Sequence, residues 1–251
     1  MHNTAEQIRE EFKTLLSQKK FTSINREASM TGLVGNTTIE IVGANFIADT
    51  DALFGTVNWE YVKREEGWYE SRSLNVNDIP GGPPAIWKAV ADKNGFINSN
   101  YGFLLFSPEN GSQYENAKNE LLKNPESRRA NTIYTRPSMW LDYNRDGRSD
   151  FCCTDSVQYL IRDGKVHAVV RMRSNDAIFG YRNDRAWQQH VLTKMTNELN
   201  AAGNNYEVGQ IIWQAGSLHI YARHYYLVKH FALTGEINIS KEKYLTLYGD
   251  E

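Results

Sequence analysis

Four stretches of the sequence concentrate side chains that a packed core does not ask for. In Asp150-Phe151-Cys152-Cys153-Thr154, two adjacent thiols open a run that alternates apolar and polar residues like a half-buried strand. A cysteine so placed is ordinarily a small buried hydrophobe. Near arginines, a thiol is instead held as thiolate and attacks electrophiles at neutral pH. Arg171-Met172-Arg173-Ser174-Asn175-Asp176, followed by Gly180 and Asp184, groups guanidinium forks with a hydroxyl, a donor set suited to a phosphate dianion. Asn124-Pro125-Glu126-Ser127-Arg128-Arg129 sets two arginines after a turn signal and, taken alone, reads as a solvated loop. In Gly216-Ser217-Leu218-His219-Ile220-Tyr221, alternation sends His219 and Tyr221 to one face of one strand, either as satisfied core groups or as partners of a sugar hydroxyl.

Two further patterns resemble metal sites and fall short of them. Asp142-Tyr143-Asn144-Arg145-Asp146-Gly147 matches the first half of a calcium loop, but position twelve, which should be glutamate, is Cys153, so a polar hairpin connection fits better. His219, His224 and His230 do not fall on one helical face, and no cysteine or carboxylate completes a zinc pattern. No metal is expected. Glycine-rich phosphate cradles of the GxGxxG and GxxxxGK[ST] types are also missing, so phosphate would be held by side chains.

The elements that must position these groups can be read from periodicity. Thr4 and Gln7 form a capping box ahead of Ile8, Phe12, Leu15 and Leu16, which predicts an opening amphipathic helix. Residues 38–48 read as a buried strand and Tyr61 to Tyr69 as helix; the Pro/Gly run at 78–84 ends that helix and a second covers Ala85 to Asp92. Residues 131–140 look extended. Thr154 to Met172 predicts a hairpin turning at Asp163-Gly164, with Val157, Tyr159 and Ile161 facing Val166, Ala168 and Val170. A helix is expected over 186–202, a strand over 208–221, and a last long helix ending near Gly235. Strands and helices interleave without a regular rhythm, which favours an α+β fold over a doubly wound sheet.

Composition is that of a globular protein, with 251 residues, 41% hydrophobic, 23% charged and a net charge of -2. At this length one large core is expected, so residues 1–251 read as a single domain. The near-neutral balance argues against a bulk electrostatic grip on nucleic acid or an anionic membrane. No 18 apolar residues run together and the first twenty residues contain no signal-type apolar core, so a cytoplasmic location is expected. Adjacent Cys152 and Cys153 would staple no loop and are expected to be reduced.

In their order along the chain, these segments resemble the motifs of the thymidylate synthase family. Residues 124–129 resemble its phosphate-binding turn, Cys153 with Gln158 its nucleophile strand, Arg173 to Gly180 its RSxDxxxG segment and His219-Ile220-Tyr221 its sugar-binding HxY. Upstream, Glu65 resembles the catalytic glutamate, Ile86-Trp87 the folate-contacting pair and Asn100-Tyr101-Gly102 a YG strand; the resemblance covers residues 38–235. It implies mixed β-sheets with packed helices and a sheet-mediated homodimer. It also implies one-carbon transfer from 5,10-methylenetetrahydrofolate to C5 of a pyrimidine deoxynucleotide, through a covalent bond from Cys153 to C6. By the same resemblance, Arg173, Ser174 and the partner's Arg128 and Arg129 would take the phosphate, Gln158 would contact the nucleotide, and His219 and Tyr221 would hold the 3'-hydroxyl. Ile86, Trp87, Asp176 and Gly180 would receive the folate, and neither nucleic acid nor membrane is an expected partner.

The departures carry as much information. Asp184 stands where the family has an asparagine that reads uracil, and a carboxylate instead accepts from the N4 amino group of cytosine. Thr154 replaces a histidine, Val90 a folate-site tryptophan and Ser217 an aspartate. With these changes the sequence resembles the branch of the family that hydroxymethylates deoxycytidylate (dCMP), in which Glu65 would order the water that adds to the one-carbon unit. Two other readings stand beside it: a thymidylate synthase with unusual residues, against which Asp184 and Thr154 speak, and a silent homologue that binds nucleotide or RNA, against which Cys153 and Glu65 speak. The family's first phosphate-contacting arginine falls near Arg26, where the pattern does not align.

Overall fold

The computed structural model describes residues 2–23 and 37–249; Arg26 lies outside them. In chain order the elements are β1 (Asn3–Thr4), α1 (Ala5–Ser17), β2 (Thr22–Ser23), β3 (Thr37–Ile47), α2 (Trp59–Ser71), α3 (Ala85–Val90), α4 (Tyr101–Phe106) and α5 (Gln113–Lys123). They continue as β4 (Asn131–Ile133), α6 (Met139–Asp142), β5 (Thr154–Arg162), β6 (Lys165–Asp176), α7 (Phe179–Ala201), β7 (Glu207–Tyr221), α8 (Tyr225–Thr234) and α9 (Lys241–Tyr248). The strands among the described residues form a mixed sheet in the order β1-β3-β7-β6-β5-β4, with β2 also on β3. Parallel pairing of β1 with β3 and antiparallel pairing of β4, β5 and β6 make the α+β class expected from the sequence. The chain divides into two compact units, one of Met1–Val57, Ser174–Ala186 and Trp213–Glu251, the other of Asn58–Arg173 and Trp187–Ile212.

In the first unit, the opening helix is capped as its sequence predicts: the Thr4 side chain accepts from Gln7 N, and Gln7 Oε1 accepts from Thr4 N at 2.8 Å. Ala5, Ile8 and Phe12 form its buried stripe. Phe12 meets Phe54 edge-on, and Tyr181 packs between Phe46 and Trp213. Each such aromatic pair adds about 1 kcal/mol beyond its buried area. Helix α8 ends at Gly235 in the left-handed region, as expected, but a further helix, α9, follows it. Only Tyr244 of α9 is buried, so the segment has too narrow an apolar stripe to stand out in sequence.

The second unit is built around Trp68 and Trp187, both fully buried and linked through Tyr69, whose ring lies 5.2 Å from Trp68 and 5.0 Å from Trp187. The β5–β6 hairpin forms with the expected register, Arg162 opposite Lys165, and Asp163 (φ 51°) and Gly164 (φ 74°) make the turn. All six residues named for its inward face are buried. Three expectations are corrected. The segment around Asn100-Tyr101-Gly102 is not a strand but the start of α4, with Asn100 Oδ1 capping Phe103 N at 2.8 Å. Gly102 has no room for a Cβ, which would stand 1.7 Å from the Tyr69 carbonyl oxygen, so α2 and α4 touch backbone to backbone. The extended stretch expected over 131–140 is only three residues of β4, because Pro137 brings no donor to a ladder and Met139 N closes a turn onto Arg136 O.

The third correction concerns α7, which begins at Phe179 rather than near residue 186 and runs from the first unit into the second. Gly180 and Asp184 therefore lie on its opening turns. The polar run that precedes the Trp187 stripe hid this start, since hydrophobic periodicity begins only later.

Candidate active site

The turn that carries Cys152 and Cys153 belongs to the second unit. Asp155 has no partner in the β5–β6 register, a bulge that re-aims the backbone immediately after Cys153. Its two thiols differ sharply. Cys152 is 1% exposed, its Sγ donates to the Thr154 carbonyl at 3.1 Å, and burial pushes its thiol well above the ordinary range. Cys153 is half-buried, and Arg173 wraps it: the Arg173 amide donates to the Cys153 carbonyl at 2.7 Å and its Nη2 stands 3.6 Å from Sγ. The same guanidinium reaches the carbonyls of Phe151 (3.2 Å) and Cys152 (3.4 Å) and lies over the Phe151 ring. A cation at that distance is a charge-assisted partner for a thiolate, so of the two cysteines Cys153 has the nucleophile's surroundings.

Asp150 pins this turn from below. Its buried carboxylate accepts from Asn98 N (2.7 Å), Ser99 N (2.9 Å), Ser99 Oγ (2.5 Å) and Asn98 Nδ2 (3.1 Å). Arg148, two residues earlier, bonds Asp92 and Asn98. Asp142, first in the calcium-like run, is paired instead with Arg136 and Arg145.

Also in this unit, Glu65 is 5% exposed on α2, one turn after Tyr61. Tyr61 Oη donates to Glu65 Oε1 at 2.6 Å and Trp87 Nε1 donates to the same oxygen at 2.9 Å. Burial raises the carboxyl above its usual range while the two donors oppose the shift. Trp87, assigned by resemblance to folate, thus has its indole fixed by the Glu65 carboxylate, and its neighbour Ile86 is 56% exposed. Tyr61 was missed, although its i, i+4 spacing from Glu65 on a helix was legible.

Arg128 and Arg129 stand at the surface. Arg129 pairs with Glu120 at 3.0 Å, and Ser127 Oγ donates to the same carboxylate oxygen. Gln158 is joined to this region: its Nε2 donates to the Arg128 carbonyl at 2.8 Å and its Oε1 accepts from Arg171.

In the first unit, His219 and Tyr221 share a face of β7, with ring centroids 5.0 Å apart. Ser217 Oγ donates to Glu40 Oε1 and lies 3.3 Å from His219 Nδ1. Glu40, on β3, was invisible to sequence reasoning because nothing local ties it to residue 217. Ser174 is half-buried at the end of β6, and Asp176 Oδ1 accepts from Ile178 N at 2.9 Å. The buried His224 is held down to about 4, by burial first, with the charge of Asp176 opposing. Asp184 is half-buried, and its Oδ2 accepts from Asn175 Nδ2 at 2.7 Å. No three histidine, cysteine or carboxylate side chains among the described residues are grouped to hold a metal ion, and no helix among them is long and apolar enough to cross a membrane.

The sequence profile described as Thymidylate synthase matches residues 28–238. The chain belongs to the thymidylate synthase family. Within that family it is 52% identical, over 98% of its own length and 97% of the relative's, to the deoxycytidylate 5-hydroxymethyltransferase of Enterobacteria phage T4. It is 30% identical to the thymidylate synthase of Bacillus subtilis subsp. natto over 67% of this chain and 59% of that one. Among solved structures, thymidylate synthase from T4 phage superposes with a TM-score of 0.67 at 18% identity, covering 88% of this chain and 79% of the other, which establishes the shared fold.

Proposed function

We propose that this chain is a deoxycytidylate 5-hydroxymethyltransferase, acting as one catalytic domain on dCMP. The observation that carries the reading is the 52% identity to a phage enzyme of that name across nearly the whole of both chains. Asp184 supports it, since a carboxylate pairs with the N4 amino group of cytosine and repels the O4 of uracil.

In this reading, Cys153 Sγ adds to C6 of the base and makes C5 nucleophilic. 5,10-Methylenetetrahydrofolate supplies the one-carbon unit and leaves as tetrahydrofolate. The exposed Ile86 beside a fixed Trp87 suits a flat, partly apolar ring, with Asp176 and Gly180 at its polar edge. Glu65, its Oε1 committed to Tyr61 and Trp87, exchanges protons through Oε2: it directs removal of the C5 proton and then orders the water whose oxygen becomes the new hydroxyl. Release of Cys153 from C6 restores the ring. Arg173 and Ser174 hold the phosphate, Gln158 steadies the strand beside it, and His219 and Tyr221 take the 3'-hydroxyl. The exposed Arg128 and Arg129 reach the phosphate of a partner subunit in a homodimer. A thiol nucleophile requires a reducing compartment, which we take to be the cytoplasm.

The test is incubation with dCMP or dUMP and methylenetetrahydrofolate, with the nucleotide identified by mass and dihydrofolate followed by absorbance. Hydroxymethylated dCMP without dihydrofolate is expected. Methylated dUMP with dihydrofolate would overturn the reading.

A further inference from the structure

We propose that Asn175 is a positioning residue that sets base choice through Asp184, and that Gly180 keeps the space in which it does so. The inference rests on the reading of this chain as an enzyme of dCMP. Position 175 is the variable place in the RSxD motif, so nothing in the family pattern assigns it.

An aspartate alone does not select cytosine. A carboxylate can turn about its last torsion, and in its protonated form it donates, which would satisfy O4 of uracil as well as an acceptor of cytosine. Discrimination needs a carboxylate fixed in plane and kept an acceptor. Asn175 Nδ2 does both by donating to Asp184 Oδ2 at 2.7 Å. The amide orientation follows from chemistry, since its oxygen would repel the carboxylate. A carboxylate has two acceptor lone pairs on each oxygen, so one bond from an amide does not by itself use up the edge that meets the N4 amino group and a protonated N3.

Two observations indicate that Asn175 is kept for this bond. The residue is 3% exposed and its Oδ1 is buried without a hydrogen-bond partner, an arrangement that an apolar side chain of similar size would avoid. Asp184, by contrast, is half-buried and reachable. Gly180, on the first turn of α7, lies against the pair: a Cβ there would stand 3.2 Å from Asn175 Nδ2 and 3.7 Å from Asp184 Oδ2. Any side chain at 180 would press on the amide and lengthen the bond. Gly180 therefore has a role within the chain itself, separate from the folate contact that resemblance gives it.

The experiment measures kcat/KM for dCMP and for dUMP in the full-length protein, in Asn175→Leu, Gly180→Ala and Asp184→Asn, and in the Asn175→Leu/Asp184→Asn double variant. The readout is the ratio of the two constants, which a general loss of activity leaves unchanged. Asn175→Leu is expected to lower the dCMP preference by about tenfold or more, and Gly180→Ala to lower it in the same direction by less. Combined with Asp184→Asn, Asn175→Leu should add less than about twofold, because its effect runs through the carboxylate. An unchanged ratio in Gly180→Ala and in folded Asn175→Leu, or an equal drop with and without Asp184, would overturn the inference while leaving the proposed function standing. A native protein that shows no preference for dCMP would overturn that function, and this inference with it.

Discussion

The β5–β6 hairpin and the turn that runs into it are continuous in the chain but held by different means. The hairpin is a backbone structure: eight cross-strand pairs, a two-residue turn in the left-handed region and alternating buried side chains specify it locally. The turn at 148–153 has no ladder of its own and is held mainly by side-chain bonds to distant segments, with its own Asp150 on Asn98 and Ser99, its Arg148 on Asp92, and Arg173 of β6 over Phe151 to Cys153. In the proposed function the chemistry sits on the second kind of structure. A nucleophile needs its orientation fixed while its front stays open, and a continued ladder would close it off.

The contrast can be broken at several points. The largest effect is expected at the turn itself. Cys153→Ala should lower turnover by at least about 10^4-fold while dCMP still binds, whereas Cys152→Ala should cost about 1 kcal/mol of stability and leave turnover largely intact. Steady-state kinetics and dCMP titration separate the two, and an active Cys153→Ala enzyme would remove the nucleophile from its place.

Glu65→Gln comes next, with turnover reduced by about 10^2- to 10^4-fold. It also has a stability signature. Burial raises the Glu65 pKa above its ordinary 4.5, so between that value and the raised one the native state holds a proton that the unfolded chain has released. Stability contributed at this site therefore falls as pH rises through that window. Glu65→Gln should flatten this part of the pH dependence in urea unfolding; an unchanged profile would mean that Glu65 is not buried in solution.

Asp150→Ala tests the turn's anchor. It leaves the amides of Asn98 and Ser99 without their partner and is expected to cost about 3 kcal/mol, or about 6–12 °C in Tm. Gly164→Ala tests the hairpin and should cost about 1 kcal/mol, or about 2–4 °C, since alanine is strained at φ 74° but the ladder persists. If the hairpin variant proved the more damaging of the two, the division between the regions would be wrong.

The same division explains what the sequence disclosed. Periodicity gave the capping box of α1, the strand β3, both arms of the hairpin and its turn, because each is a local pattern. It missed the start of α7 and overextended β4, where a polar first turn and Pro137 interrupt the pattern, while the strand expected at Asn100-Tyr101-Gly102 came from resemblance and is the start of α4. Site residues carrying a motif, such as Cys153, Glu65, Asp184 and His219, were legible through resemblance. Their supports were not: Glu40, Ser99 and Asn175 act through contacts that no local spacing announces, whereas Tyr61, one helical turn before Glu65, could have been found from helical spacing.

The unequal burial of the adjacent cysteines also equips the protein with a built-in reporter. A thiol-alkylating reagent should modify one cysteine of the native chain and both after denaturation, because Cys152 is 1% exposed and Cys153 is half-buried. The mass of the labelled peptide would then count, molecule by molecule, how often the start of β5 comes open.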